Sequence, residues 1–124
     1  MKVYQFMTPM PVTLKETYSI KQAAKLFQKH SIDGAPVLGE SGKITGIFTK
    51  THLYKAIVNE YDYDTPVNVL MKSNIKTINA NRPASEAWQT ALNHHIGRLP
   101  VVDDNENLLG MMTRTNLVRA FEKG

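Results

Sequence analysis

The sequence predicts an α+β fold built from two β-α-β-β-α repeats, and three observations carry that prediction. Shifting the 124-residue chain on itself by 64 positions needs no gap and gives thirteen identities spread over the whole frame. The stretch Gly46-Ile47-Phe48-Thr49-Lys50-Thr51-His52-Leu53 returns as Gly110-Met111-Met112-Thr113-Arg114-Thr115-Asn116-Leu117. Each copy of it reads as an apolar strand opened by glycine and closed by a threonine able to cap a following helix. Finally, each half alternates short apolar runs with apolar residues at helical spacing. A register kept over the full length marks a tandem duplication.

The matches pair Val3 with Val67, Met7 with Met71, Thr13 with Thr77, Ala23 with Ala87 and His30 with His94. Ile32, Pro36 and Val37 meet Ile96, Pro100 and Val101, and Gly46, Thr49, Thr51, Leu53 and Ala56 meet Gly110, Thr113, Thr115, Leu117 and Ala120. The expected division is a first repeat over 1–60, a linker over 61–66 and a second repeat over 67–124.

Taken in order, Val3 to Met7 is a short apolar turn stopped by Pro9 and Pro11. Val12 to Leu14 is a brief extended piece. Ser19-Ile20-Lys21-Gln22 has the form of a capping box, and Ile20, Ala23, Ala24 and Phe27 fall on one helical face. A strand follows at Ala35 to Leu38, a hairpin turn at Glu40 to Lys43, and a return strand at Ile44 to Phe48. Thr49 opens a second helix carrying Leu53, Ile57 and Val58. The polar, acidic, tyrosine-bearing stretch Asn59 to Thr65 joins the copies, and Pro66 resets the frame. In the second copy Pro83 suits the first turn of a helix, and Asp103 to Asn107 supplies the hairpin turn. Neither copy offers much core alone, so the helices are expected to pack between copies.

Composition narrows the function classes. Hydrophobic content of 42% suffices for a core, and no stretch approaches the length of a membrane span. No cationic leader with an apolar run opens the chain, so the expected location is cytoplasmic. With no cysteine there is no disulfide framework, thiolate nucleophile or cysteine zinc site. The net charge of +4 comes from residues 1–60, with eight Lys/Arg against four Asp/Glu. Its lysines are spread at helical periods, so direct contact with nucleic acid is not expected, whereas a small anionic ligand is favoured. A threonine hydroxyl beside the free N–H groups of a helix start can receive an anion or a sugar hydroxyl. Two such corners suggest a paired binding module rather than one catalytic pocket.

The order Met7-Thr8-Pro9, Ile32-Asp33-Gly34-Ala35-Pro36-Val37 and Gly46 to Leu53 resembles the cystathionine-β-synthase (CBS) domain. The second copy resembles it through Val69-Leu70-Met71, Ile96 to Asp103 and Gly110 to Leu117. The likeness spans essentially the whole chain, as a CBS pair or Bateman module. It implies two repeats related by a pseudo-two-fold axis, no catalysis and no obligatory cofactor. It further implies a regulatory ligand such as AMP, ADP, ATP or S-adenosylmethionine, and association into a homodimer. The resemblance combines Thr49 and His52 with Thr77, Ile96, Arg98, Leu99 and Pro100 in one cleft. It combines Thr113 and Asn116 with Thr13, Ile32, Gly34, Ala35 and Pro36 in the other. Threonine hydroxyls and a planar guanidinium suit phosphate, and strand backbone suits an adenine edge. The family's Gly-x-x-Thr-x-x-Asp segment has His52 and then Asn116 at its Asp position. An Asn keeps one acceptor and a neutral His accepts through one ring nitrogen, so neither reproduces a two-oxygen carboxylate.

Other candidates read more plainly. His94-His95 lacks a Cys or acidic cluster to complete a metal site, and adjacent helical residues point apart. Asp62/Asp64 and Asp103/Asp104 read as linker and hairpin acids. Met111 and Met112 belong to a buried strand, and Trp88 to the packing face of a helix. The leading expectation is a nucleotide-sensing module that passes a conformational change to a separate or fused effector. The rival is a dimerisation module with degenerate clefts. Phe48 to Leu53 is also similar to sensors attached to bacterial transcription activators, so the chain could be the N-terminal sensor of a longer regulator.

Overall fold

A computed structural model describes residues 1–9 and 12–123; the expected stop at Pro11 and the final Gly124 lie outside them. In chain order the elements are β1 (Thr8–Pro9), β2 (Leu14–Lys15), α1 (Ile20–His30), β3 (Gly34–Leu38), β4 (Ile44–Thr49) and α2 (Lys50–Val58). They continue with β5 (Ile78–Asn79), α3 (Ala84–His94), β6 (Arg98–Val102), β7 (Leu108–Thr113) and α4 (Arg114–Lys123). Short 3-10 turns at Val3–Gln5 and Val67–Val69 occupy equivalent places in the two copies. The α+β class and the duplicated order of elements are as the sequence predicts.

These elements gather into two compact units, which do not follow the repeat frame. A continuous unit runs Val12–Ile75, and a split unit joins Met1–Pro11 to Lys76–Gly124. The continuous unit holds a three-stranded sheet in the order β2-β3-β4. Its core contains Leu14, Phe27, Val37 and Phe48 from strands and α1, with Val67 from the segment after α2. The split unit holds a four-stranded sheet in the order β1-β7-β6-β5. Val3 and Phe6, from the start of the chain, enter its core with Leu99, Val101, Met112 and Leu117. Each unit therefore has its own core and its own helix pair, α1 with α2 and α3 with α4. Each core also takes in a segment from outside its own repeat: the split unit takes the Val3–Gln5 turn and β1, and the continuous unit takes the Val67–Val69 turn and the Lys72 bridge.

Two glycines make that exchange possible. A Cβ on Gly110 would stand 2.6 Å from the Thr8 carbonyl oxygen, and one on Gly46 would stand 2.8 Å from that of Lys72. At both places the backbone of the incoming segment lies flat on the strand: Pro9 pairs with Gly110 in β1–β7, and Lys72 forms a bridge to Ile47. Only glycine leaves room for so close an approach.

Pro36 and Pro100 sit inside β3 and β6, each the middle strand between parallel and antiparallel neighbours. Strand prolines normally keep to sheet edges because they donate no hydrogen bond. Here the parallel partner begins one residue later, at Val37 for β2 and at Val101 for β5. Each proline thus lies where the strand is locally an edge.

The helix starts are capped by different means. Ser19 and Gln22 form the expected capping box, with Oγ accepting from Gln22 N–H at 3.1 Å and Gln22 Oε1 accepting from Ser19 N–H at 2.8 Å. Pro83 precedes α3 and offers no side-chain cap. The first turn instead carries an Arg82–Glu86 ion pair, which through its hydrogen bond holds the Glu86 carboxyl below the usual carboxylate range. At the other ends, α1 and α3 close on Ser31 and His95, equivalent residues that share a left-handed backbone with φ 52°.

Candidate functional site

Antiparallel pairing builds the same corner in each unit. In the continuous unit Gly34 at the start of β3 faces Thr49 at the end of β4, where α2 begins. In the split unit Arg98 at the start of β6 faces Thr113 at the end of β7, where α4 begins. The hairpin register thus sets a β-strand start beside a helix start, and Gly34 or Arg98 is the variable residue of that pair.

Both threonines cap their helices, and His52 and Asn116, three residues further on, complete the caps. Thr49 Oγ1 accepts from His52 N–H at 3.4 Å, while His52 Nδ1 accepts from Thr49 N–H at 3.0 Å. A ring nitrogen that accepts from an N–H carries no proton, which puts the proton of the neutral ring on Nε2. The ring also stacks on Phe48, 5.7 Å between centroids, and Phe48 stacks on Phe27 at 6.1 Å. His52 is therefore half-buried and tied to the core.

Asn116 is more deeply engaged. Its Oδ1 accepts from Thr113 N–H at 2.9 Å, from Thr113 Oγ1 at 2.8 Å and from Thr8 Oγ1 at 3.2 Å. Its own N–H donates to Thr113 Oγ1 at 3.3 Å. At 7% exposure Asn116 is a buried polar residue whose acceptor is committed to the cap and to the incoming β1 segment. Thr8 has Lys72 as its equivalent in the first copy's corner, so this third bond belongs to the split unit alone.

The remaining predicted residues distribute by unit. Thr13, Ile32 and Gly34 are half-buried and Ala35 and Pro36 buried in the continuous unit, along with the Thr49–His52 corner. Thr77, Ile96 and Arg98 are half-buried and Leu99 and Pro100 buried in the split unit, along with Thr113 and Asn116. Arg98 is brought to Thr113 by strand register, whereas Thr49 and His52 belong to the other unit. The buried members offer a ligand backbone rather than side chain. The split unit's corner is the more cationic, with Arg98 and Arg114 where the continuous unit has Gly34 and Lys50.

Sequence reasoning missed the reciprocal caps made by His52 and Asn116. The signal was present, since Thr-x-x-His and Thr-x-x-Asn have the spacing of a capping box with an acceptor other than Glu or Gln. Among the described residues no group of three or more His, Asp or Glu side chains could hold a metal ion, and no helix is long and apolar enough to cross a membrane.

Comparisons with known proteins agree with the duplicated architecture. The CBS domain family model matches residues 3–59 and again 67–123. Homoserine O-acetyltransferase of Methanocorpusculum labreanum is 32% identical over 93% of this chain, which spans 25% of that protein. The CBS domain-containing protein YhcV of Bacillus subtilis is 31% identical over 90% of this chain and 79% of its own length. The chain spans about a quarter of two of the curated relatives it matches, the acetyltransferase and a sulfurtransferase of Methanocaldococcus jannaschii. Among solved structures, CBSX2 in complex with AMP matches with a TM-score of 0.85 and 28% identity over 98% of this chain and 96% of its own. The CBS domain pair of protein MJ0100, in complex with 5'-methylthioadenosine and S-adenosyl-L-methionine, matches with a TM-score of 0.86 and 28% identity over 99% and 97%.

Proposed function

The chain belongs to the CBS domain family as a tandem pair, a regulatory rather than catalytic module, and from that premise we propose that it senses an adenosine-containing ligand at the two strand–helix corners. The reading rests chiefly on the register that sets Arg98 opposite Thr113 at the start of α4. A guanidinium, a threonine hydroxyl and a helix start then converge on one place, a combination suited to a phosphate or a similarly charged tail. Relatives of matching fold bind AMP, methylthioadenosine and S-adenosylmethionine, which supports the adenosine moiety as the shared element.

This reading groups the residues by compact unit and so departs from the pairing that the resemblance implies, which joins Thr49 and His52 to Thr77 and Arg98. Thr113, Arg98 and Thr77 serve the split unit's corner, and Ile96, Leu99 and Pro100 present backbone to the base. Asn116 contributes as a donor through Nδ2, because its Oδ1 already accepts three bonds. Thr49, His52 and Thr13 serve the continuous unit's corner, with Ile32, Gly34, Ala35 and Pro36 as its backbone wall. Binding shifts a two-state equilibrium of the module, and a fused or separate effector reads the shift. A fused effector fits the short share of the acetyltransferase and sulfurtransferase that this chain covers.

Thermal unfolding with AMP, ADP, ATP, methylthioadenosine and S-adenosylmethionine tests the proposal. A ligand at a hundredfold its dissociation constant adds about 2.7 kcal/mol, a rise on the order of 10 °C for a domain of this size. Arg98→Ala should reduce the rise for phosphate-bearing ligands to what the Thr49 corner contributes and spare methylthioadenosine. No rise with any of the five would overturn the reading.

A second reading has its own observation. The His52 and Asn116 side chains are engaged in capping, and the helices expose Tyr54, Ile57, Val58, Val118 and Phe121. Those features suit a module that holds two copies together without a ligand. Light scattering that gives a dimer unaffected by nucleotide would support it.

A further inference from the structure

The continuous unit has a cavity of about 650 Å³ at the hairpin end of its sheet, within the range of small-molecule sites. Lys15, Glu16 and Tyr18 line it at the end of β2, and Leu38, Gly39 and Glu40 line it at the end of β3. Thr13 is the residue it has in common with the strand–helix corner. The corner itself stands at Gly34, the opposite end of β3, about 13 Å of strand away from Leu38.

The charges of this lining are not spent on each other. Among the described residues the side chains of Lys15, Glu16 and Glu40 have no ion pair or hydrogen bond. Glu16 is half-buried, and a Cβ on Gly39 would stand 2.9 Å from its Oε1. Its carboxylate thus lies against bare hairpin backbone. Withdrawing a carboxylate from water without a counter-charge is costly, and a cation in the cavity would offset that cost.

The duplication supplies an internal control. Lys15, Glu16, Gly39 and Glu40 have Asn79, Ala80, Asp103 and Asp104 as their equivalents. In the second copy Asn79 Nδ2 donates to Asp104 Oδ1 at 2.7 Å, which ties the end of β5 to the hairpin. Asp103 Oδ1 accepts from the N–H groups of Asn105 and Asn107, each at 2.9 Å, so it serves its own turn. Ala80 carries no charge at all. The second copy therefore closes this place with its own side chains, whereas the first leaves two carboxylates and an ammonium around a cavity.

We propose that the cavity binds a free α-amino acid with an aliphatic side chain. The ammonium of the ligand meets Glu16 and Glu40, its carboxylate meets Lys15, and its side chain lies on Leu38 and Tyr18. A ligand with a cation alone would set like charge beside Lys15, and one with an anion alone would face two carboxylates. A zwitterion satisfies all three groups. The proposal stands apart from any nucleotide at the corners.

The backbone amides of Gly39 and Gly42 line the cavity, so a proton–nitrogen correlation spectrum reports on it. Titration with L-leucine should move both peaks to saturation and leave the Asp103 amide, the counterpart of Gly39, in place. N-acetyl-L-leucine lacks the ammonium and L-leucinamide lacks the carboxylate. Each should bind about tenfold more weakly, since it gives up a charge-assisted bond. Glu16→Gln should lower the affinity for L-leucine about tenfold and leave that for N-acetyl-L-leucine unchanged. Lys15→Met should do the same with respect to L-leucinamide. Glycine peaks that stay in place with L-leucine would overturn the proposal, as would equal affinity for the three compounds. AMP that moves both glycine peaks and competes with L-leucine would overturn it in favour of a nucleotide site reaching the hairpin. A nucleotide that binds nowhere would leave the L-leucine result standing and count against the corners alone.

Discussion

At the scale of single residues, Asn116 shows how one buried polar side chain can tie a helix start to a segment from far away in the sequence. Its Oδ1 satisfies the Thr113 N–H, a helix-start donor with no partner inside the helix. Asn116→Ala should therefore cost about 1–3 kcal/mol, the penalty for leaving buried donors unmade. Asn116→Asp keeps an acceptor at the same place and adds a negative charge at a helix start, which the macrodipole favours. It should unfold within about 1 kcal/mol of the parent. Chemical denaturation of the three proteins checks the pair of expectations. Equal loss in both variants would show that residue size, not the accepted bonds, sets the stability. Thr113 and its cap partner were legible as a Thr-x-x-Asn spacing, but the third bond, from Thr8, was not. Thr8 lies far away in sequence and arrives only because β1 pairs with β7.

At the scale of elements, the glycines that open β4 and β7 do steric work. Gly110→Ala would thrust a methyl group into the Thr8 carbonyl and the Met7 side chain. The expected loss is about 1–3 kcal/mol, as for other overpacked sites. It should come with faster hydrogen exchange at the Thr8 amide, because β1 must move away. Unchanged exchange there would show that the strand tolerates the methyl group. The repeated Gly-x-x-Thr pattern revealed each strand–helix corner directly, since glycine, apolar strand and capping threonine are local signals. Which residue faces the threonine across the hairpin depends on register. Only the paired strands place Arg98 there in one copy and Gly34 in the other.

At the scale of the whole molecule, the repeat frame and the compact units cut the chain in different places. Residues 1–9 belong by sequence to the first copy, yet Val3 and Phe6 are buried in the core formed with the second. Val67 does the reverse, entering the core of the continuous unit. A fragment spanning 12–75 keeps a complete cluster and its sheet, whereas one spanning 1–60 lacks Val67 and exposes Val3 and Phe6. By circular dichroism and heat-denaturation cooperativity the first fragment should be the better folded. The opposite ranking would place the folding unit at the repeat boundary. The relation to ligand is at the same scale, because a shift in unfolding temperature with nucleotide reports on the module as a body.

The sequence by itself determined what depends on neighbours along the chain: the duplication, the α+β class, the helix caps and the two corners. Periodicity, turn chemistry and capping are set by residues a few positions apart, so they appear in any linear reading and repeat when the sequence repeats. The tertiary structure decided the rest. It set which unit owns each N-terminal segment, which residue faces each threonine, and that Thr8 adds a third bond to Asn116. These depend on pairing and packing between distant segments, where a side chain's role follows from the atoms it meets rather than from its place in the chain.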